Sequence, residues 1–160
     1  MATQNENNKK LKDLIKGIEM AMLTTVGRDG SLTSRPMANQ DVEFDGDIWF
    51  FTLVTTHKVD DLQNNPNVNV SYSNSKTFVS VVGRAELVLA RSKIEEYWTD
   101  ALKVWFPDGK DDPNLALIKI EADRAEYWTS PNAIVGALEF VRAFVTNDEY
   151  QAGENEKIEL

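Results

Sequence analysis

Cysteine is absent from this chain, and histidine occurs once, at His57. Without thiols there is no disulfide and no thiolate metal site. A single imidazole leaves a zinc site short of its usual ligands, so no metal is expected. The same shortage bears on catalysis. Any Ser-His-Asp triad would have to be built on His57, and no serine sits in a nucleophile-elbow signature. HExxH pairs, a phosphate-cradling P-loop and a GxGxxG turn are all missing. Positive charge is also in deficit, with 17 Lys and Arg against 26 Asp and Glu. The resulting net charge of −9 repels polyanions, which argues against a nucleic-acid partner. No apolar run approaches the ~20 residues of a membrane span. The opening MATQNENNKK lacks the apolar core of a secretion signal. The expectation is a cytoplasmic protein with no membrane partner.

What is present suits a globular domain. The hydrophobic share of 42% is enough for a real core, and the charged share of 27% is ordinary for a soluble surface. One domain is expected over residues 1–147, followed by a loose acidic tail over 148–160. Leu11, Leu14, Ile15 and Ile18 fall at helical spacing and predict a helix over 7–18. MAMLTTV (20–26) and LTSRPMAN (32–39) read as strands joined by the turn GRDG. DVEF and DIWFFT, around Asp45-Gly46, read as a second hairpin, so the first half opens as a meander. HKVDDLQN (57–64) predicts a short helix ended by Asn65-Pro66. VNVSYS (68–73) is a strand. TFVSVVGRAELVLA (77–90) is a long strand whose Gly83 signals a bulge or bend.

Ser92 with Glu95 forms a capping-box pattern, predicting a helix that runs to about Val104. LALIKIEADRAEYW (115–128) is another long strand, and AIVGALEFVRAFVT (133–146) has helical spacing. The pattern predicts a mainly β fold with flanking helices, an antiparallel sheet of about six or seven strands closing toward a small barrel. The long strand carries Val79, Val81 and Val82, read as apolar on both faces, which points to a dimer.

Two segments carry the candidate chemistry. In SLTSRPMANQ, a cation and a strand-breaker, Arg35 and Pro36, occupy the middle of a strand. In WFFTLVTTHKV, a strand runs through Thr52, Thr55 and Thr56 into His57 and Lys58 at a helix start. Hydroxyls, a lysine and free helix amides suit an anion, and an arginine fork grips phosphate with two bonds. Together with Arg84 they could form one local anion site. They could equally be surface cations paired with carboxylates. Trp98 and Trp105 read as core, unless Trp105 with Phe106 covers a planar ligand or packs on a second subunit. The loop PDGKDDPN gathers Asp108, Asp111 and Asp112 without the ligand spacing of a calcium loop.

Taken in order, RPM, WFFT, Thr56-His57-Lys58-Val59, NNPNVNVSYS, FVSVVGRAEL, VWFPDG and AEYW resemble the pyridoxamine 5′-phosphate oxidase-like, FMN-binding split-barrel family, nearest its bacterial general stress protein branch. The resemblance spans about residues 8–130. It implies an antiparallel split β-barrel of the FMN-binding type, a homodimer with FMN at the subunit interface, and a flavoprotein acting as a small-molecule oxidoreductase. It implies that Arg35 and Lys58 hold the FMN phosphate and that Thr56 donates a hydroxyl, with His57 beside them. Pro36 and Met37 would run along the flavin, with Met37 and its neighbours giving backbone contacts to the ring. Phe51 and Thr52 would line the same site, and Trp105 would reach it from the partner. The sequence departs from the family at Leu53, Thr56, His57 and Phe78, and it lacks the Arg- and His-rich C-terminal segment of the true oxidases. Vitamin B6 oxidation is therefore not implied, and neither a substrate nor a catalytic residue is assigned. The alternative class is a split-barrel dimer that has lost flavin and serves as a binding module.

Overall fold

The computed structural model describes residues 3–40, 44–129 and 155–160. They hold helices α1 (Gln4–Ile15), α2 (His57–Asn64) and α3 (Arg91–Tyr97). The strands are β1 (Met20–Val26), β2 (Leu32–Ala38), β3 (Asp47–Leu53), β4 (Asn67–Ser73), β5 (Thr77–Val88), β6 (Leu115–Thr129) and β7 (Asn155–Glu159). All seven strands belong to one antiparallel sheet in the order β2-β1-β4-β5-β6-β3, with β7 also beside β6. The sheet curls until its edge strands β2 and β3 approach each other, yet no ladder joins them. This is the split barrel that the motif order implied.

Alternation decides which side chains fill the barrel. Ala21 and Leu23 of β1, Val70 and Tyr72 of β4, Val79 and Val81 of β5, and Ala125 and Tyr127 of β6 are all buried and face inward. Leu11 and Ile15 of α1 and Leu62 of α2 join this core. Val79 and Val81 therefore do not belong to an exposed patch. The exposed large apolar residues carried by the described strands are Met20, Met22, Leu32, Phe78 and Trp128. They lie on the outer face of β1, β2, β5 and β6, where Phe78 stands opposite Trp128. A second cluster, of Trp49, Phe51, Ile94, Leu102, Leu115 and Leu117, fills the outer face of β3 and β6 beneath α3.

Several boundaries differ from the sequence pattern for local reasons. Helix α1 starts three residues early because Thr3 and Glu6 form a capping box, and it ends before Gly17, whose φ is +80°. Ile18 is buried, but from beyond the helix. The Ser92 capping box does not form. Helix α3 begins at Arg91, is capped by Ala90 without a side-chain bond, and stops at Tyr97. A separate 3₁₀ turn, Asp100–Val104, follows, so one helix to Val104 is replaced by two short pieces. β3 pairs with β6, and the DVEF half of the expected hairpin falls largely outside the described set. Phe44 is buried outside any strand, and residues 41–43 lie outside the described set, as does the helix expected over 133–146. The tail is not loose at its end, since residues 155–159 form β7.

The bulge expected at Gly83 is present. The β5–β6 register shifts between Val82 and Gly83, so that Val82 faces Arg124 while Gly83 faces Ala122. At this bend the sheets press together. A Cβ on Gly83 would stand 2.4 Å from the Glu121 carbonyl oxygen and 2.9 Å from Ile120. Because the nearer atom is backbone in the central strand, it cannot turn aside. Gly83→Ala is expected to destabilise the fold by about 2 kcal/mol or more, on the scale of overpacking. Urea unfolding reads this directly, and an unchanged midpoint would show that the bulge has room to spare.

Candidate functional site

The two edge strands of the split barrel, β2 and β3, each carry one row of main-chain groups with no strand partner among the described residues. Which residues present them follows from the ladders. Gly27 donates to Ser31 and Asn39 to Glu19, so in the β1–β2 ladder the odd-numbered residues of β2 are the hydrogen-bonded ones. The main-chain groups of even-numbered residues, those of Ser34 and Ala38 and the carbonyl of Pro36 among them, point at the open edge. The side-chain amide of Gln40 donates to the Ala38 carbonyl at 3.2 Å, as that direction requires. Pro36 thus removes no ladder bond, because its missing N–H would have faced outward. Met37 pairs with Ala21 and is buried, so its own backbone is committed to β1 and its side chain to the core. The main-chain groups that face the open edge here are those of its neighbours Pro36 and Ala38.

The opposite edge obeys the same logic. Val54 donates to Asn114 and Ala122 to Gly46, so even-numbered residues of β3 bond to β6 and odd ones face the split. Phe51 therefore offers main-chain groups to the edge. Its side chain lies on the face opposite Thr52, against Trp98 at 5.7 Å and Phe106 at 6.2 Å between ring centres. Phe51 and Thr52 do not line one site with their side chains. Thr52 is buried on the inner face. Its hydroxyl lies 3.3 Å from that of Thr56, which donates to the Leu53 carbonyl at 2.8 Å. The hydroxyl proton expected to serve a ligand is thus held by Leu53. Thr56 also makes no side-chain cap on α2, which leaves the helix start uncapped by it.

The cations converge at this end of the barrel. Arg35 sits level with Leu23 and Val70 on the inner face. Its Nη1 donates to Thr25 Oγ1 at 2.7 Å and to the Leu23 carbonyl at 3.3 Å. Its Nη2 lies 3.8 Å from Asp61 of α2. Thr25 is fully buried and donates to Asp61 Oδ2 at 3.0 Å. Lys58, one turn before Asp61 on α2, is half-buried, and no hydrogen bond or ion pair to it is formed among the described residues. Burial pushes its ammonium below the ordinary lysine value, and the nearby charge of Arg35 pushes it further. Burial likewise lowers Arg35, with Asp61 opposing.

The remaining candidates lie apart. His57 is exposed at the first position of α2. Trp105 is 56% exposed just past the 3₁₀ turn. Arg84 is on the outer face, in a groove with Pro66, Glu86, Lys119 and Glu121. Lys119 there is already paired with Asp47 at 3.6 Å and Glu86 at 3.8 Å, so the groove is not part of the Arg35 site. No cluster of metal-ligating side chains occurs among the described residues, and none of their helices is long and apolar enough to cross a membrane. Thr25 and Asp61 were missed by sequence reasoning. Asp61 had a signal, since its i, i+3 spacing from Lys58 puts both on one helix face. Thr25 had none, because threonine is an ordinary strand residue.

Comparison with known proteins shows the family. The family model described as pyridoxamine 5′-phosphate oxidase like matches residues 6–151. Protein bli-3 of Neurospora crassa is 33% identical over 82% of this chain and 70% of its own length. General stress protein 26 of Bacillus subtilis is 28% identical over 75% of this chain and 86% of its own. Among solved structures, the general stress FMN/FAD binding protein of Xanthomonas citri superposes with a TM-score of 0.68 at 28% identity, covering 81% of this chain and 92% of that one.

A half-buried cation without a counter-charge is a cost to the ligand-free protein. Lys58→Met keeps the stem and removes the charge, so it is expected to raise the urea midpoint at neutral pH. The sign with pH follows from linkage. The folded value lies below the ordinary 10.5, so between the two the unfolded chain holds more protons and stability rises with pH. The advantage of Lys58→Met should therefore shrink as pH climbs through that window. A midpoint that falls on substitution would mean that Lys58 has a structural partner.

Proposed function

The chain belongs to the pyridoxamine 5′-phosphate oxidase-like family, and from that premise we propose that it binds FMN in the split between β2 and β3, as a homodimeric flavoprotein oxidoreductase acting on a small molecule. One observation carries the reading. Arg35 Nη2 lies 3.8 Å from Asp61, one turn beyond Lys58 on α2, so both cations stand at the same end of the barrel, and Lys58 has no anion to meet it among the described residues. A phosphate monoester is the ligand chemistry that offsets such a pair. The donor set fits it, with an ammonium, the free side of a guanidinium and the uncapped start of α2 all converging at one end of the barrel. The ring system of a flavin needs flat surroundings and hydrogen-bond partners. The outward-facing backbone of Pro36 and Ala38, and of Phe51 across the split, supplies both.

Residue roles follow from these positions. Lys58 and Arg35 bind the phosphate and set the position of whatever is attached to it. Thr52 and Thr56 hold the turn that brings α2 to the site, through the Leu53 carbonyl. Phe51, backed by Trp98 and Phe106, keeps the β3 edge dry. The outer face with Met20, Met22, Phe78 and Trp128 is the surface on which a second chain would pack, and Trp105, exposed in one chain, would be covered from its partner. When bound, the flavin itself supplies the electron transfer. Arg35 already holds internal contacts, so its removal is expected to cost apo-protein stability as well as affinity, which makes Lys58 the cleaner probe.

The flavin-free alternative predicts none of the binding. We expect FMN to bind at least tenfold more tightly than riboflavin, the scale of one charge-assisted hydrogen bond. Lys58→Ala should remove most of that preference. In sedimentation followed at flavin absorbance, the colour should move with a two-chain species. A colourless protein, or flavin riding on a single-chain species, contradicts the reading.

A further inference from the structure

Resting on the phosphate-site reading above, we propose that Thr25 and Asp61 preassemble the anion grip: Thr25 aims Arg35, and Asp61 is an internal counter-ion that holds the grip together while no phosphate is present. Neither residue was a candidate from the sequence, and both act through Arg35, so they are positioning residues.

The direction of the Arg35–Thr25–Asp61 chain is fixed by chemistry. A guanidinium can only donate and an ionised carboxylate can only accept. Thr25 Oγ1 must therefore accept from Arg35 Nη1 at 2.7 Å, and its own proton goes to Asp61 Oδ2 at 3.0 Å. Thr25 is fully buried on β1, so the hydroxyl has no water to substitute for either partner. Nη1 is tied to Thr25 and to the Leu23 carbonyl at 3.3 Å. Nη2 stands 3.8 Å from Asp61, inside ion-pair range but beyond hydrogen-bond distance. The guanidinium is anchored by one nitrogen, and among the described residues its other donors make no hydrogen bond and are open to a ligand. Asp61 thus offsets charge without occupying the fork.

The two roles predict opposite effects. Losing the Thr25 hydroxyl frees Arg35 to wander, which weakens phosphate binding. Losing the Asp61 charge removes an anion that repels phosphate and stabilises the empty site. By linkage, whatever stabilises the empty form alone lowers affinity. Asp61 therefore sets how tightly the phosphate is held, as well as how stable the site is without it.

The test is the ratio of riboflavin to FMN dissociation constants, which isolates the phosphate, with ligand-free melting temperatures measured on the same proteins. Thr25→Val, nearly isosteric, should lower the ratio by about tenfold. Thr25→Ser should restore it to within about twofold of the wild type. Asp61→Asn should raise the ratio by roughly threefold and lower the ligand-free melting temperature. A ratio unchanged in Thr25→Val overturns the aiming role, and a ratio that falls in Asp61→Asn overturns the counter-ion role. If Thr25→Val does not fold, the Asp61→Asn arm still decides the sign. Equal wild-type affinities for FMN and riboflavin overturn the phosphate reading itself, and this proposal with it. A wild-type preference left untouched by both substitutions overturns this proposal alone.

Discussion

An antiparallel sheet that curls without closing leaves two rows of main-chain donors and acceptors with no strand to meet them. Open edges of this kind normally invite another strand, and proteins blunt them with proline, charge or cover. Here β2 and β3 are those edges. Proline stands at a position of β2 whose N–H would point outward, and a cation stands beside it on the inner face. The pair is compatible with the β1 ladder on one side and with a flat polar ligand on the other. Most of the architecture serves to keep this gap open and level. The bulge at Gly83 bends the central strands, α2 plugs the barrel end through Val59 and Leu62, and the aromatic cluster under α3 supports β3 from behind.

Charge is the second constraint. The chain carries −9 overall, so an anion approaching it meets repulsion at long range. Within that field, Arg35 and Lys58 make one small positive site whose internal cost is set by burial and mutual repulsion. Asp61 lessens the cost without cancelling the site. Such a balance favours a compact, doubly charged group over a diffuse polyanion. It matches a phosphate monoester better than a nucleic acid, which would also have to cross the surrounding acidic surface.

The fold was readable where period and punctuation agreed. HKVDDLQN, closed by Asn65-Pro66, is helix α2 to the residue, and the Gly83 bulge fell where a lone glycine interrupts a long strand. It was misread where a local signal competed with chain context. Ser92 and Glu95 have the spacing of a capping box, but the chain enters α3 directly after β5, so Ser92 is already inside the helix. The ladder between DIWFFT and β6 was not legible, because β6 lies far along the chain and spacing alone cannot reveal a long-range ladder. At the site, Arg35 and Lys58 were legible as charged residues at unusual places in strand and helix. Thr25 was not, because its role comes from a buried hydroxyl between two charges and leaves no mark in the sequence. Which way Met37 and Phe51 point could not be read from the sequence, since ladder parity and side-chain alternation decide what each presents.

The account comes down to where a phosphate and a flat ring would sit. A crystal structure of the protein grown with FMN tests it most directly. It should show phosphate oxygens within about 3 Å of Lys58 Nζ and of the free nitrogens of Arg35, with the ring between the outward-facing backbone of Pro36 and Ala38 and the β3 edge. FMN bound elsewhere, or a phosphate that leaves Lys58 untouched, would contradict it.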